Sequence, residues 1–181
     1  MLETLPDLLS HWMITYTNRL RVAQNTWMRQ RLGIDPGSAP HPGEWVICLF
    51  NNRRKQIFNG MLGQLISIVP SGDHWYDVEI DMGDFTYTGE ILKYQFGKPR
   101  TLREAPAEAP TLDPLRDFKD LFDFGYCLTA HKAQGSEAEK VIVFEESYIR
   151  HAFEVDRAEY WRRWLYTAIT RARKELIIIE V

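Results

Sequence analysis

The chain has 181 residues, 45% of them hydrophobic, and a formal net charge of −3. That is enough apolar material for one sizeable core or a domain with a small insertion, and it excludes wholesale disorder. The slight acidity excludes a globally basic packaging protein, although local basic edges can still meet phosphates. No apolar stretch reaches the roughly 20 residues that span a bilayer. The opening MLETLPDLLSHW has early acids and no basic lead, so it does not read as a secretory signal. Cys48 and Cys127 both lie in apolar runs and read as buried, reduced thiols. These features together predict a cytoplasmic protein with no membrane partner.

In chain order, a lead-in containing Pro6 precedes Trp12–Tyr16, which predicts a strand. Thr17 and Asn18 end it, with Asn18 the expected N-cap of a helix closed by Gly33. Residues 34–44, IDPGSAPHPGE, are rich in breakers and mark a boundary. Beyond them the pattern changes to short strands: Trp45–Phe50, Leu62–Val69, Trp75–Asp81 and Phe85–Thr88. Asn59-Gly60, Ser71-Gly72-Asp73 and Met82-Gly83-Asp84 read as tight turns between them. Within Trp75–Asp81, Tyr76, Val78 and Ile80 alternate with Asp77, Glu79 and Asp81. Short strands with tight turns in so little chain describe a small barrel. Pro99, Pro106, Pro110 and Pro114 then read as a linker or an extended return path.

An α/β pattern resumes near Phe122. Strand Tyr126–Thr129 leads into a polar loop or short helix, Ala130–Glu137, and strand Val141–Phe144 follows. A helix is expected from about Asp156, with Tyr160, Trp164, Leu165, Ala168, Ile169 and Ala172 on one face. The closing LIIIEV reads as a strand buried on both faces. The layout is β-α, inserted barrel, β-α-β-α-β, an α/β fold in which ligands meet the carboxyl ends of parallel strands. His131, Lys132, Gly135 and Glu137 are expected to crowd that end.

Each candidate has a bland alternative. Thr129, His131 and Lys132 can donate to a phosphate chain, or simply cap a strand end. Gly135 permits close approach of a ligand and Glu137 can accept from ribose hydroxyls, or Ser136-Glu137 can be an unliganded helix start. Arg171, between an amphipathic helix and a strand, suits a nucleotide phosphate, or pairs with Glu175 on the surface. Arg162, Arg163 and Arg173 read as solvated. His11, His41, His74 and His151 are scattered and no His or Cys pair has metal-ligand spacing. Cys127 with His131 as a nucleophilic pair is disfavoured because Cys127 lies inside the apolar strand. There is no GxxxxGK[ST]; the single Gly-Lys, Gly97-Lys98, is followed by proline.

YCLTAHKAQGSEAEKVIVF resembles motif V of superfamily-one helicases, and WLYTAITRARKELIII resembles their motif VI. The Lys-Ala-Gln-Gly-Ser-Glu form is closer to the RecD-like group than to the UvrD-like one. MITYTNRLRVAQNTWMR resembles the opening of the second RecA-like domain of RecD-like helicases, and GEWVICLFNNRRKQIFNGMLGQLISIV the start of their inserted SH3-like barrel. The resemblance implies a RecA-like parallel sheet formed by residues 1–42 and 101–181, with the barrel at 43–100. It implies an ATP-dependent helicase or translocase on single-stranded DNA, with 5′-to-3′ polarity from the group alone. It places Arg171 at the γ-phosphate, Gly135 and Glu137 at the nucleotide, and Thr129, His131 and Lys132 at the DNA. Thr17 and Asn18 are expected at the DNA backbone. Trp75 and Tyr87 could stack on bases or pack in the barrel core. ATP and Mg2+ would be held mainly by a preceding RecA-like domain, whose motifs this chain lacks, so the chain alone is expected to be inactive. That domain is one implied partner, single-stranded DNA another, with recombination, repair or replication subunits as further candidates. The rival readings are a non-catalytic nucleic-acid-binding or partner-binding module and an RNA helicase of the same superfamily.

Overall fold

The computed structural model describes residues 10–101, 120–146 and 155–181. The lead-in around Pro6, the Pro106–Pro114 part of the linker and His151 lie outside the described residues. The fold is mixed α/β, with one parallel and one antiparallel sheet. The chain divides into two compact units, residues 1–24 with 126–181, and residues 25–125. The second unit therefore takes in 25–42 and 101–125 as well as the 43–100 expected as an insertion.

In the first unit, β1 (His11–Thr15), β7 (Cys127–Thr129), β8 (Ala138–Glu145) and β9 (Ala172–Glu180) form a sheet in the order β7-β1-β8-β9. All its pairings are parallel. Helix α1 (Asn18–Arg31) follows β1 and helix α2 (Val155–Ile169) precedes β9. Met13, Ile14, Leu128, Val141–Phe144, Trp164 and Ala168 are buried. Two expectations change. β9 is the sheet edge, and Leu176 and Ile178 are exposed, so the LIIIEV run is not buried on both faces. Tyr160, placed on the buried face of α2 by its spacing, is 49% exposed.

The β1–α1 corner also differs. The Leu20 N–H donates to Thr17 Oγ1 at 3.2 Å, and the Arg21 N–H to the Thr17 carbonyl at 3.1 Å. Thr17 is thus the N-cap, not Asn18, whose Oδ1 accepts from Arg21 Nε instead. At the other end of α1, Gly33 has φ +75°; its N–H reaches the Gln30 carbonyl and the Ile34 N–H reaches that of Arg29. This is the paired helix stop that a left-handed glycine permits.

In the second unit, β2 (Trp45–Cys48), β3 (Leu62–Ser71), β4 (Trp75–Asp81), β5 (Thr86–Leu92) and β6 (Phe122–Phe124) form an antiparallel sheet in the order β5-β4-β3-β2-β6. β4 has the bounds and the alternation read from sequence, with Val78 and Ile80 buried and the three acids exposed. Phe122–Phe124 pairs with β2 in this sheet and does not join the α/β pattern. A single bridge between Ile91 and Asp120 links the β5 edge to the chain just before β6. Tyr87 is a core residue: its ring lies 5.3 Å from Phe122 and its hydroxyl donates to Asp120 at 2.7 Å. Trp75 packs beside Leu92 and Leu121. Both therefore serve packing.

Candidate functional site

The register of the parallel sheet sorts the candidate residues onto two edges. Thr15 pairs with Thr129 at the carboxyl ends of β1 and β7. His11 pairs with Lys140 near the start of β8, and Ala138 with Ala172 at the amino ends of β8 and β9. The turn after Thr129 therefore runs back along the sheet, about six residue levels or roughly 20 Å. Ala130–Gly135 form this turn with no helix between β7 and β8. Thr17, Asn18, Thr129, His131 and Lys132 stay at the carboxyl edge. Gly135, Glu137 and Arg171 gather at the amino edge. The expected crowding of all these groups at the carboxyl end does not occur, because β8 must start level with the far end of β1.

At the carboxyl edge, Thr129 is buried, and its carbonyl accepts from the Lys132 and Ala133 N–H groups at 2.9 and 3.1 Å. His131 is exposed and Lys132 half-buried. His131 Nε2 lies 3.4 Å from the Tyr160 hydroxyl. Thr17 is less available than expected. Its hydroxyl donates to Glu146 Oε1 at 2.6 Å, while Glu146 Oε2 accepts from the Tyr16 and Thr17 N–H groups at 2.8 and 2.9 Å. A hydroxyl has one proton to give, so Thr17 positions this corner, and Asn18 beside it is exposed. Glu146, buried at the end of β8, went unnoticed in the sequence because nothing local marks a carboxylate whose partners lie 130 positions away.

At the amino edge, α2 ends and the chain passes through Arg171 into β9. The Arg171 guanidinium donates from Nε to the Thr167 carbonyl at 3.0 Å, from one Nη to the Ser136 carbonyl at 3.1 Å, and from the other to Thr170 Oγ1 at 3.1 Å. All three acceptors are neutral. No carboxylate forms an ion pair with Arg171 among the described residues; Glu175 instead lies 3.9 Å from Lys140 and from His11. An arginine has five N–H donors, so two of Arg171's have no acceptor among the described residues. Next to Ser136 is Gly135, exposed, with φ +83° and open space where a Cβ would stand. Glu137 is exposed and accepts from Arg173 Nε at 2.7 Å. That hydrogen bond and charge hold the Glu137 carboxyl below its ordinary range, with Arg171 adding a smaller effect of the same sign. Arg173 lies on the solvated face as expected and is also Glu137's ion-pair partner.

Cys127 is fully buried, and burial pushes its thiol up to about 12. It is no nucleophile beside His131, and neither cysteine is in a disulfide. Among the described residues, no group of three or more His, Cys, Asp or Glu is arranged to hold a metal. No described helix is long and apolar enough to cross a membrane.

Residues 124–179 match the family model of the UvrD-like helicase C-terminal domain. That match spans the segments likened to motifs V and VI and bears out their superfamily-one resemblance; the two earlier segments, likened to RecD-like helicases, lie outside it. The fold is shared with solved helicases. A Pif1 helicase from Bacteroides in complex with ADP-AlF3 and ssDNA superposes with a TM-score of 0.52 at 18% identity, over 98% of this chain and 44% of that one. Bacteroides Pif1 bound to ssDNA gives 0.51 at 16% identity, over 93% of this chain and 40% of that one. Pif1 helicase from Candida albicans gives 0.51 at 16% identity, over 96% and 45%. At such identities the likeness establishes the fold. The chain spans less than half the length of these structures.

Proposed function

We propose that this chain is the C-terminal motor portion of a superfamily-one DNA helicase of the RecD-like group, which couples ATP hydrolysis to 5′-to-3′ movement on single-stranded DNA. The observation that carries the proposal is Arg171. Its guanidinium is fixed by three neutral acceptors beside an open glycine, with two donors and a full charge left over. Such a group is complementary to an anion that arrives from outside the chain. When bound, ATP supplies that anion as its γ-phosphoryl group, and neutralising charge there is what an arginine finger does. Gly135 lets the ligand approach, and Glu137 keeps acceptor capacity for ribose hydroxyls beyond its bond to Arg173. Among the described residues no cluster of donors fits Mg2+, which we assign, with the phosphate loop, to a preceding RecA-like domain of the same protein.

The opposite edge supplies the DNA contacts: Asn18, His131 and Lys132, with Thr129 and Thr17 shaping the backbone that carries them. Backbone-directed contacts of this kind position a strand without reading it. Both Pif1 structures from Bacteroides described above contain ssDNA, which supports this reading. The antiparallel unit is read as the SH3-like barrel, a closure supported by the Ile91–Asp120 bridge. The protein would work in the cytoplasm, in recombination, repair or replication.

The test is the native polypeptide from its source cells, sized with an antibody to this chain and assayed for ATP turnover. The proposal expects a larger protein, by at least about 150 residues, whose turnover rises with single-stranded DNA. A protein no larger than this chain that binds single-stranded DNA without hydrolysing ATP would support the non-catalytic module instead.

A further inference from the structure

Between the turn after Thr129 and helix α2 lies a cavity of about 210 Å³, walled by Ala130, His131, Gln134, Tyr160 and Trp164. Three aromatic rings are stacked edge to face behind it. Tyr16 lies 5.3 Å from Trp164 at 73° and 6.3 Å from Tyr160 at 88°. Tyr160 is half-exposed, yet it is held twice, by the Tyr16 ring and by its hydroxyl 3.4 Å from His131 Nε2. An exposed aromatic ring fixed in orientation offers contact area with little left to order on binding. Gln134 is exposed at the rim and carries both a donor and an acceptor. Arg163, also in the wall, has its charge paired with Glu159. The cavity is therefore aromatic and amide-bearing, and among the described residues its one arginine is already paired.

We infer that this cavity receives one base of a single-stranded nucleic acid, stacked on Tyr160 and met at its edge by the Gln134 amide. The inference rests on the DNA-binding reading above and deepens it. The cavity opens beside His131, on the carboxyl edge where the strand is proposed to run. A strand held there by its phosphates would present a base to the neighbouring aromatic wall. Base–aromatic stacking tolerates any base, because each has a π-face. The site would add affinity without adding sequence specificity.

The test uses the whole chain and two fluorescent oligonucleotides of equal length, an oligothymidylate and its abasic counterpart, titrated at several salt concentrations. The inference expects thymidylate to bind about tenfold more tightly than the abasic strand, the effect of one stacked base. Tyr160→Ala should erase that preference and leave the abasic affinity and its salt slope unchanged. Tyr160→Phe, which keeps the ring, should retain it. Equal binding of both strands by the unmodified chain, with a normal salt slope, would overturn the base receptor and leave the DNA-binding reading standing. A preference that survives in Tyr160→Ala would also overturn it. Failure to bind either strand would overturn both readings. Displacement of bound thymidylate by tryptophan amide but not by thymidine would overturn the inference in favour of a partner protein's aromatic side chain.

Discussion

Two arginines in the two units of this molecule are built in opposite ways. Arg29, on α1 in the second unit, is 1% exposed and fully compensated. Its guanidinium donates to both oxygens of Glu44 at 2.8 and 3.2 Å, to the carbonyls of Pro36, Ser38 and Ala39, and to Ser38 Oγ. It also stacks on Phe124, 4.3 Å from the ring centre. Residues 36–44 are wrapped around this one side chain. Arg171, in the first unit, donates to three neutral acceptors and has no carboxylate partner among the described residues. A compensated guanidinium organises its own loop and has nothing left for a ligand. One held by neutral acceptors is fixed in place with no counter-charge among the described residues. The difference separates an arginine paired within its own loop from one that the proposed function offers to a nucleotide.

Breaking each arginine should break a different property. The largest effect is expected on turnover. Under the proposed function, Arg171→Ala in the native protein should lower single-strand-stimulated ATP hydrolysis by about a thousandfold or more, the scale of a lost arginine finger. Its thermal midpoint should barely move, because only bonds to neutral acceptors disappear. Arg29→Ala should do the reverse. Urea unfolding of the whole chain should show a loss of about 3–5 kcal/mol, since Glu44 is left buried without its partner. If Arg29→Ala proved neutral in stability, the contrast would collapse.

Smaller effects sharpen the same contrast. Lys132→Ala should weaken single-stranded DNA binding and lower the magnitude of its salt slope by about one contact's worth, roughly 0.7. An unchanged slope would return Lys132 to a strand-capping role. The smallest effect belongs to the exposed Glu137–Arg173 pair. Because Glu137's carboxyl is held low in the folded chain, the pair contributes above the ordinary carboxylate range. That contribution fades as pH falls through the lowered value. Arg173→Ala should return the Glu137 titration, followed by carboxyl-carbon NMR, to the ordinary range with no measurable change in unfolding midpoint.

What could be read from the sequence divides along physical lines. β4 was legible because strict alternation of Tyr76, Val78 and Ile80 with acids admits only a half-buried strand. Arg171, Gly135 and Glu137 were legible as a group through their motif resemblance. Arg29 and Glu44 were not, because their partnership crosses fifteen positions of a loop that reads as a boundary. β9 misled because a run of isoleucines reports strand propensity but not which strand is the edge. Asn18 misled as a cap because Thr17, one position earlier, is an equally good capping residue. The placement of Gly135 and Glu137 misled for a topological reason. Their distance from Thr129 depends on where β8 begins against β1, which only pairing register decides.

The central claim is that nucleotide and single-stranded DNA engage opposite edges of one parallel sheet. Hydrogen exchange on the native, full-length protein tests it most directly, measured with a non-hydrolysable ATP analogue alone and with single-stranded DNA alone. The account predicts that the analogue protects amides around Gly135–Ala138 and Arg171, while DNA protects those around Ala130–Ala133 and Asn18. Protection of the same segment by both ligands, or of neither edge by either ligand, would contradict it.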